Sequence, residues 1–182
     1  MCEIVQGIHL IPSREINCSD KVVIHIGDVS TPGSVWNAVA DTSRIVGGYR
    51  TFDEEIREQI HDRINLIAEN IASAHRCKAS ISWIRGNTPS VNDVSLSAYL
   101  AESCKTVSSV NKVIYDAPPQ MIAEDGGLYT QKVPGVFYLI GSGCPDYPLH
   151  NPCMLPAIDT LFIGIELHVT NAVNILNFIN KK

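Results

Sequence analysis

Five isoleucines fix the first firm element of this chain. Ile56, Ile60, Ile64, Ile67 and Ile71 recur at spacings of 4, 4, 3 and 4, which lays them on one stripe of an α-helix. Arg57, Glu58, Asp62 and Arg63 put charge on the other face. Phe52-Asp53-Glu54-Glu55 leads into the stripe, and acids at a helix N-terminus complement its dipole. The spacing predicts a helix of about six turns that buries one face against a sheet. Strand-like segments surround it. Lys21–Gly27 (KVVIHIG) reads as a strand, and Pro32-Gly33 ends a turn that starts at Ser30. Asn37–Phe52 carries a second strand, with Gly47-Gly48 marking a bulge or a close backbone approach. Ala79–Ile84 reads as a third. Cys2–Leu10 reads as the tail of a helix stopped by Pro12. This order fits a small α+β layer, an antiparallel sheet with helices on one face. It is close to a ferredoxin-like unit without its first strand.

Arg85–Asp93 (RGNTPSVND) is polar and turn-rich, a natural boundary that divides the chain into 1–93 and 94–182. The second part reads as an α/β segment. Val94–Val107 is helical in pattern, Lys112–Tyr115 is a short strand, and Pro118-Pro119 opens a loop carrying Glu124. A short helix is expected near Gly127–Lys132. Val136–Ile140 (VFYLI) is apolar on both faces, as in a buried strand. Asp159–Phe178 closes as an amphipathic helix.

Composition narrows the function classes. Hydrophobic residues make up 45% of the 182 and charged residues 18%, with a net charge of −5, so a core is expected and disorder is not. No basic run favours nucleic acid or an anionic membrane, and Lys181-Lys182 reads as a solvated tail. The apolar stretches near Phe137 and Ile163 read as too short to span a bilayer. Met1-Cys2-Glu3 lacks the pattern of a signal peptide, so the cytoplasm is the expected location. Six cysteines (2, 18, 77, 104, 144 and 153) form no C-x-x-C pair, and reduced, mostly buried thiols are expected. Cys144 and Cys153 bracket His150, but their spacing does not secure the convergent geometry a metal needs.

His150 stands in Pro148-Leu149-His150-Asn151-Pro152. As a turn histidine it either bonds a backbone carbonyl or, held stiffly between prolines, serves as a metal ligand. Six other segments accompany it in order: Ser13-Arg14-Glu15-Ile16, Gly33-Ser34-Val35-Trp36-Asn37, Tyr49-Arg50-Thr51-Phe52, Pro89-Ser90-Val91-Asn92-Asp93, Ala123-Glu124-Asp125 and Gln131-Lys132-Val133-Pro134-Gly135. Together the seven resemble the metal-dependent aminoacylase/carboxypeptidase family, in its hippurate hydrolase and N-acyl-amino-acid amidohydrolase branch. The motifs are S-R-E-V, G-T-A-x-N, V-R-T-F, P-x-V-N-D, S-E-D, Q-K-V-P-G and P-L-H-S/N-P.

The resemblance implies that 1–93 is a lid or dimerisation domain lacking its first strand and most of its first helix. It implies that 94–182 is the C-terminal segment of a split catalytic domain. The intact enzyme would bind a divalent metal, zinc or manganese, and form a homodimer through the lid. Metal-activated water would cleave an N-acyl amino acid, a peptide or a related amide. His150 would be a metal ligand. The family's other ligands and its glutamate pair have no counterpart here, since Glu54-Glu55 opens a helix. Catalytic zinc needs about three protein ligands, so this chain alone is expected to be inactive.

Three further positions bear on substrate. Arg50 would clamp a substrate carboxylate with paired hydrogen bonds, or is an exposed strand arginine. Asn37 would bind the same substrate end, or is a turn residue. Glu124 would lie near metal or substrate, or is a helix-capping acid, and Ala123 replaces the family's serine beside it. Thr31 falls where the family carries a histidine that reaches across the dimer to the developing oxyanion. Threonine donates one hydrogen bond without charge, and loss of such a donor costs about a hundredfold or more in rate. His25 reads as structural, and His9, His61, His75 and His168 fall on helical stretches. The alternative functions are a non-catalytic dimerisation or binding module, and the remnant of a split gene.

Overall fold

A computed structural model describes residues 1–122 and 124–180. Ala123 of the Ala123-Glu124-Asp125 motif and the Lys181-Lys182 tail lie outside the described residues. The chain divides into two compact units. One holds Met1–Pro89 with Met121 and Ile122, the other Ser90–Gln120 and the chain from Glu124 onward.

The first unit contains α1 (Cys2–Arg14), β1 (Val22–Ser30), β2 (Arg44–Thr51) and α2 (Glu54–Ala74). The isoleucine stripe forms the predicted helix. Asp53 caps α2 by accepting from the backbone N–H groups of Glu55 (2.7 Å) and Ile56 (3.2 Å), which satisfies two otherwise orphaned donors. Ile60, fully buried, meets Ile11 of α1 and Ile16, and Ile56, Ile64, Ile67, Val22, Ile24 and Tyr49 pack around them.

The sheet is an antiparallel pair with Ile24 opposite Tyr49 on the core side. The register shifts between Ile26 and Asp28, so the irregularity falls at Gly27 of β1. Gly47 and Gly48 serve the close approach instead. A Cβ on Gly47 would collide with the His25 carbonyl oxygen, and one on Gly48 would stand 2.9 Å from the His25 ring.

Two expectations change in this unit. α1 does not stop before Pro12 but runs on to Arg14 with Pro12 inside it. The missing proline N–H costs one bond of the last turn, which is held from outside by buried Ile11 and by Glu15. Glu15 N–H donates to Ile11 O (3.0 Å), its carboxylate pairs with Arg63, and its carbonyl accepts from Gln59 (3.1 Å). Ala79–Ile84 is not a strand, because among the described residues it has no ladder partner. Side chains anchor it: the Trp83 indole N–H donates to Asn65 Oδ1 (3.2 Å), and its ring lies 4.2 Å from His61 and edge-on to Tyr49 at 5.9 Å.

The second unit contains α3 (Val94–Lys105), α4 (Gly126–Thr130) and α5 (Ile158–Ile179). Asp93 caps α3, accepting from Leu96 N–H at 2.8 Å, and its own N–H donates to Gly135 O at 2.9 Å. The Asn92 amide clamps Phe137 twice, donating to its carbonyl and accepting from its N–H, both at 2.8 Å. α3 and α5 meet across a polar seam. Ser103 Oγ donates to Asn171 Oδ1 (2.9 Å), Asn174 Nδ2 to Ser103 Oγ (2.7 Å), and Tyr99 OH to Asn174 O (3.0 Å).

Lys112–Tyr115 and Val136–Ile140 run without ladder partners among the described residues, so neither predicted strand forms. Val136–Ile140 is half-buried rather than buried, with Leu139 exposed. α5, at 22 residues, is long and apolar enough to cross a membrane by length and composition, which corrects the sequence estimate. Scattered polar residues such as Thr160 and His168 hide that continuity in the linear sequence. The cysteines are all free, but four are exposed and two intermediate, so the expectation of mostly buried thiols is also corrected.

Ile60→Ala should lower the stability of the first unit by roughly 2–5 kcal/mol. Urea unfolding followed by Trp83 fluorescence reads this, and a loss below about 1 kcal/mol would contradict a core centred on Ile60. Burial pushes the Tyr49 phenol above its ordinary value, outweighing the nearby Arg57, which lowers it. The folded state therefore holds this proton more tightly than the unfolded chain. The resulting stability is intact below pH of about 10 and is lost as pH rises through the folded value. Tyr49→Phe should decline less than the wild type between pH 9 and 11, read by urea midpoints, and parallel declines would refute this.

Candidate functional site

Three of the sequence-derived candidates, Thr31, Asn37 and Arg50, belong to the first unit. Thr31 opens a tight turn closed by Ser34 N–H to Thr31 O (3.2 Å), with Gly33 at φ +73°. Proline then glycine at the two central positions suits a turn that needs a positive φ at its third residue. The Thr31 and Ser34 hydroxyls bond each other at 2.8 Å. Asn37 sits exposed in the next turn, where Ala38 N–H reaches Val35 O (3.3 Å).

Arg50 is exposed near the far end of β2, opposite Val23, and its Nη1 donates to Met121 O at 2.6 Å. That contact fixes the direction of the side chain and uses one of five donors, which leaves donors for a carboxylate. The hairpin separates these residues. Ser30 pairs with Arg44 and Val23 with Arg50, so the turn end and Arg50 stand about 20 Å apart at roughly 3.4 Å per residue. Asn37 lies in the connection between the strands, beyond the Ser30–Arg44 pair.

Glu124 and His150 belong to the second unit. Glu124 is exposed just before α4, and Asp125, not Glu124, is the N-cap residue of that helix. His150 is exposed with φ +70°, a left-handed conformation that outside glycine is commonest for asparagine, aspartate and histidine. The turn is shaped by its neighbours. Asn151 N–H donates to Pro148 O (3.1 Å), Met154 N–H to Asn151 O (3.0 Å), and the Asn151 side chain accepts from Cys153 N–H (2.8 Å). The His150 ring has no hydrogen-bond partner among the described residues. Cys144 is half-buried and Cys153 exposed.

No group of three or more His, Cys, Asp or Glu that could hold a metal ion exists among the described residues. The residues present therefore do not by themselves fit a catalytic divalent metal, and His150 stands as a single donor. The groove between α3 and the segment Lys112–Asp116, with Glu102 and Lys105 on its wall, contains none of the candidates.

The sequence reading passed over a second cluster of ionisable groups. Tyr138 OH lies 3.3 Å from His168 Nδ1, and burial pushes its phenol up, partly offset by a hydrogen bond from Asn171. The only signal was a histidine on a helix near a tyrosine-bearing segment, which sequence spacing does not connect.

The chain is similar to known proteins over most of its length. N-acetyl-L-cysteine deacetylase of Bacillus subtilis is 29% identical over 150 residues, covering 82% of this chain and 35% of that protein. N-acetyldiaminopimelate deacetylase of Shouchella clausii is 29% identical over 162 residues, covering 89% of this chain and 42% of its own length. The crystal structure of a dinuclear metal-binding peptidase of Bacillus subtilis, 23% identical, superposes with a TM-score of 0.72 over 97% of this chain and 45% of that one. The chain thus spans less than half the length of these relatives. The family model for peptidases M20/M25/M40 matches residues 3–173, and the chain belongs to that family.

Proposed function

We propose that this chain forms the lid and the C-terminal catalytic segment, 1–93 and 94–182, of an amidohydrolase acting on N-acyl amino acids. The divalent metal, zinc or manganese, would be held by His150 together with ligands that this chain does not carry. The observation that carries the proposal is the state of His150. Its backbone is held in a left-handed turn, yet its ring bonds no backbone carbonyl among the described residues, which leaves the imidazole free to act as a ligand. Arg50 would hold the substrate carboxylate, Glu124 would lie near the reacting amide, and Thr31 and Asn37, at the other end of the hairpin, would serve the site of a second copy. That arrangement requires a homodimer through the first unit, whose two-stranded sheet has open outer edges among the described residues, suited to pairing. Free cysteines throughout accord with a reducing, cytoplasmic setting.

The purified chain, supplied with zinc or manganese, should hydrolyse no N-acetyl amino acid above the metal-only background. Metal-dependent hydrolysis abolished by His150→Ala would overturn that expectation. The wider reading is tested on an adjacent reading frame that encodes an H-x-D motif and a Glu-Glu pair. Co-expressed with this chain, its product should restore metal-dependent deacylation, lost again in His150→Ala, and a stable but inactive complex would count against the reading.

A third measurement addresses the turn. His150→Gly should leave stability unchanged within about 1 kcal/mol, since relief of the left-handed backbone offsets the extra freedom of unfolded glycine. A loss above about 2 kcal/mol would assign the ring a structural role.

A further inference from the structure

Arg63, Arg57 and Arg50 of the first unit use their guanidinium groups in related ways. Arg63 turns its Nε–Nη2 edge onto both carboxylate oxygens of Glu15, with Nη2 at 2.9 Å from Oε1. Arg57 grips two acceptors at once. Its Nη2 donates to Asn87 O (3.0 Å), and its Nε pairs with Glu54 Oε2 (3.1 Å). Arg50 shows half of that second arrangement. Its Nη1 donates to Met121 O at 2.6 Å, and among the described residues no carboxylate pairs with it.

The Met121 carbonyl is a neutral acceptor, so its bond orients the guanidinium without cancelling the charge. An ion pair like that of Arg63 would cancel it. Arginine carries much rotamer entropy, and the Met121 bond removes part of it before any ligand arrives. The Nε–Nη2 edge of an arginine matches the two oxygens of a carboxylate, as Arg63 and Glu15 illustrate. The acceptor is restrained as well. Pro118-Pro119 stiffens the approach to Met121, and the Gln120 side-chain amide donates back to Pro118 O (3.0 Å). Met121 is half-buried and belongs with the first unit, although 71 residues separate it from Arg50.

We infer that Arg50 couples two acceptors: the Met121 carbonyl holds one side of its guanidinium and a ligand carboxylate the other, so that each bond strengthens the other. The ligand carboxylate takes the place that Glu54 holds on Arg57. The inference rests on Arg50 as the holder of the substrate carboxylate and adds Met121 as its positioning group. Coupling of this kind is reciprocal. Anchoring of Met121 tightens carboxylate binding, and the carboxylate orders Met121, because the side-chain ordering that both bonds need occurs once. The arrangement favours ligands with two coplanar charged oxygens over neutral amides of the same shape.

The test is nuclear magnetic resonance of the full chain, labelled at the methionine methyls and the arginine side chains. N-acetylglycine is the probe and N-acetylglycinamide the uncharged control. The chain has three methionines, and Met121→Leu assigns the methyl signal of Met121. N-acetylglycine should shift the Arg50 Nε–Hε resonance and the Met121 methyl together, with one dissociation constant, and the amide should shift neither. Pro118→Gly with Pro119→Gly loosens the acceptor and should weaken N-acetylglycine binding roughly threefold or more. Arg50→Lys keeps the charge but loses the fork of donors, and should abolish the Met121 response. An Arg50 response without a Met121 response, or equal affinity in the loop variant, would overturn the coupling and leave Arg50 as a carboxylate site. No Arg50 response up to about 100 mM, where even binding far weaker than millimolar registers, would overturn that site and the coupling with it.

Discussion

The first unit depends on the docking of one helical stripe. Ile60 is fully buried where α1, α2 and the hairpin converge, and each neighbouring element is aligned by its relation to that stripe. α1 lies antiparallel to α2, tied at one end by Glu3 and His75 (3.0 Å) and at the other by Glu15 and Arg63. Gly7 allows the two helices to close, since a Cβ there would lie 2.8 Å from Ile67. The ion pairs are exposed and contribute little beyond direction, so burial of the isoleucines supplies most of the stabilisation. Arg50 takes its place from this core: Tyr49 points inward to it, so the next residue points out.

Among its described residues the second unit has no comparable buried stripe and no sheet. Side chains supply the hydrogen bonds that a neighbouring strand would supply elsewhere. The Asn92 amide meets both backbone groups of Phe137 as a strand would, and the adjacent Asp93 caps α3 and reaches Gly135 through its N–H. Each such bond contributes about 1 kcal/mol net, and more is lost if a buried partner is left unsatisfied. Two motifs that read as family signatures, Pro89–Asp93 and Gln131–Gly135, therefore meet and act as scaffold. The same holds for Ser13–Ile16, where Glu15 fastens α1 and Ile16 enters the core. Family resemblance here rests largely on residues that hold segments together, which explains how a chain can carry many motifs and few reacting groups.

What the sequence revealed follows the range of the forces involved. The helices were legible because periodicity and caps are local: Asp53 and Asp93 stand where caps belong, and α2, α3 and α5 begin within two residues of their predicted starts. The strands at 79–84, 112–115 and 136–140 were misread because β-propensity is local whereas a ladder needs a partner from elsewhere. Pro12 failed to end α1 because Ile11 and Glu15 are held by tertiary contacts that no local rule contains. The site candidates were legible as residue types, but their convergence was not. The register places Arg50 opposite Val23, six residues from the Ser30–Arg44 pair at which the connection carrying Asn37 begins.

His150 and its neighbour Asn151 use one turn differently. The turn at Pro148–Pro152 needs a residue with positive φ, and glycine would meet that need without steric cost. A histidine there costs roughly 1 kcal/mol relative to glycine, and histidine is among the side chains enriched in that conformation. Within the described residues the ring makes no bond that would repay it, unlike Asn151, whose side chain closes the following turn. The imidazole is thus presented rather than consumed. The backbone of His150 is set by the turn, and its side chain stands exposed. The same logic separates His150 from His168 and His75, whose ring nitrogens already face Tyr138 and Glu3.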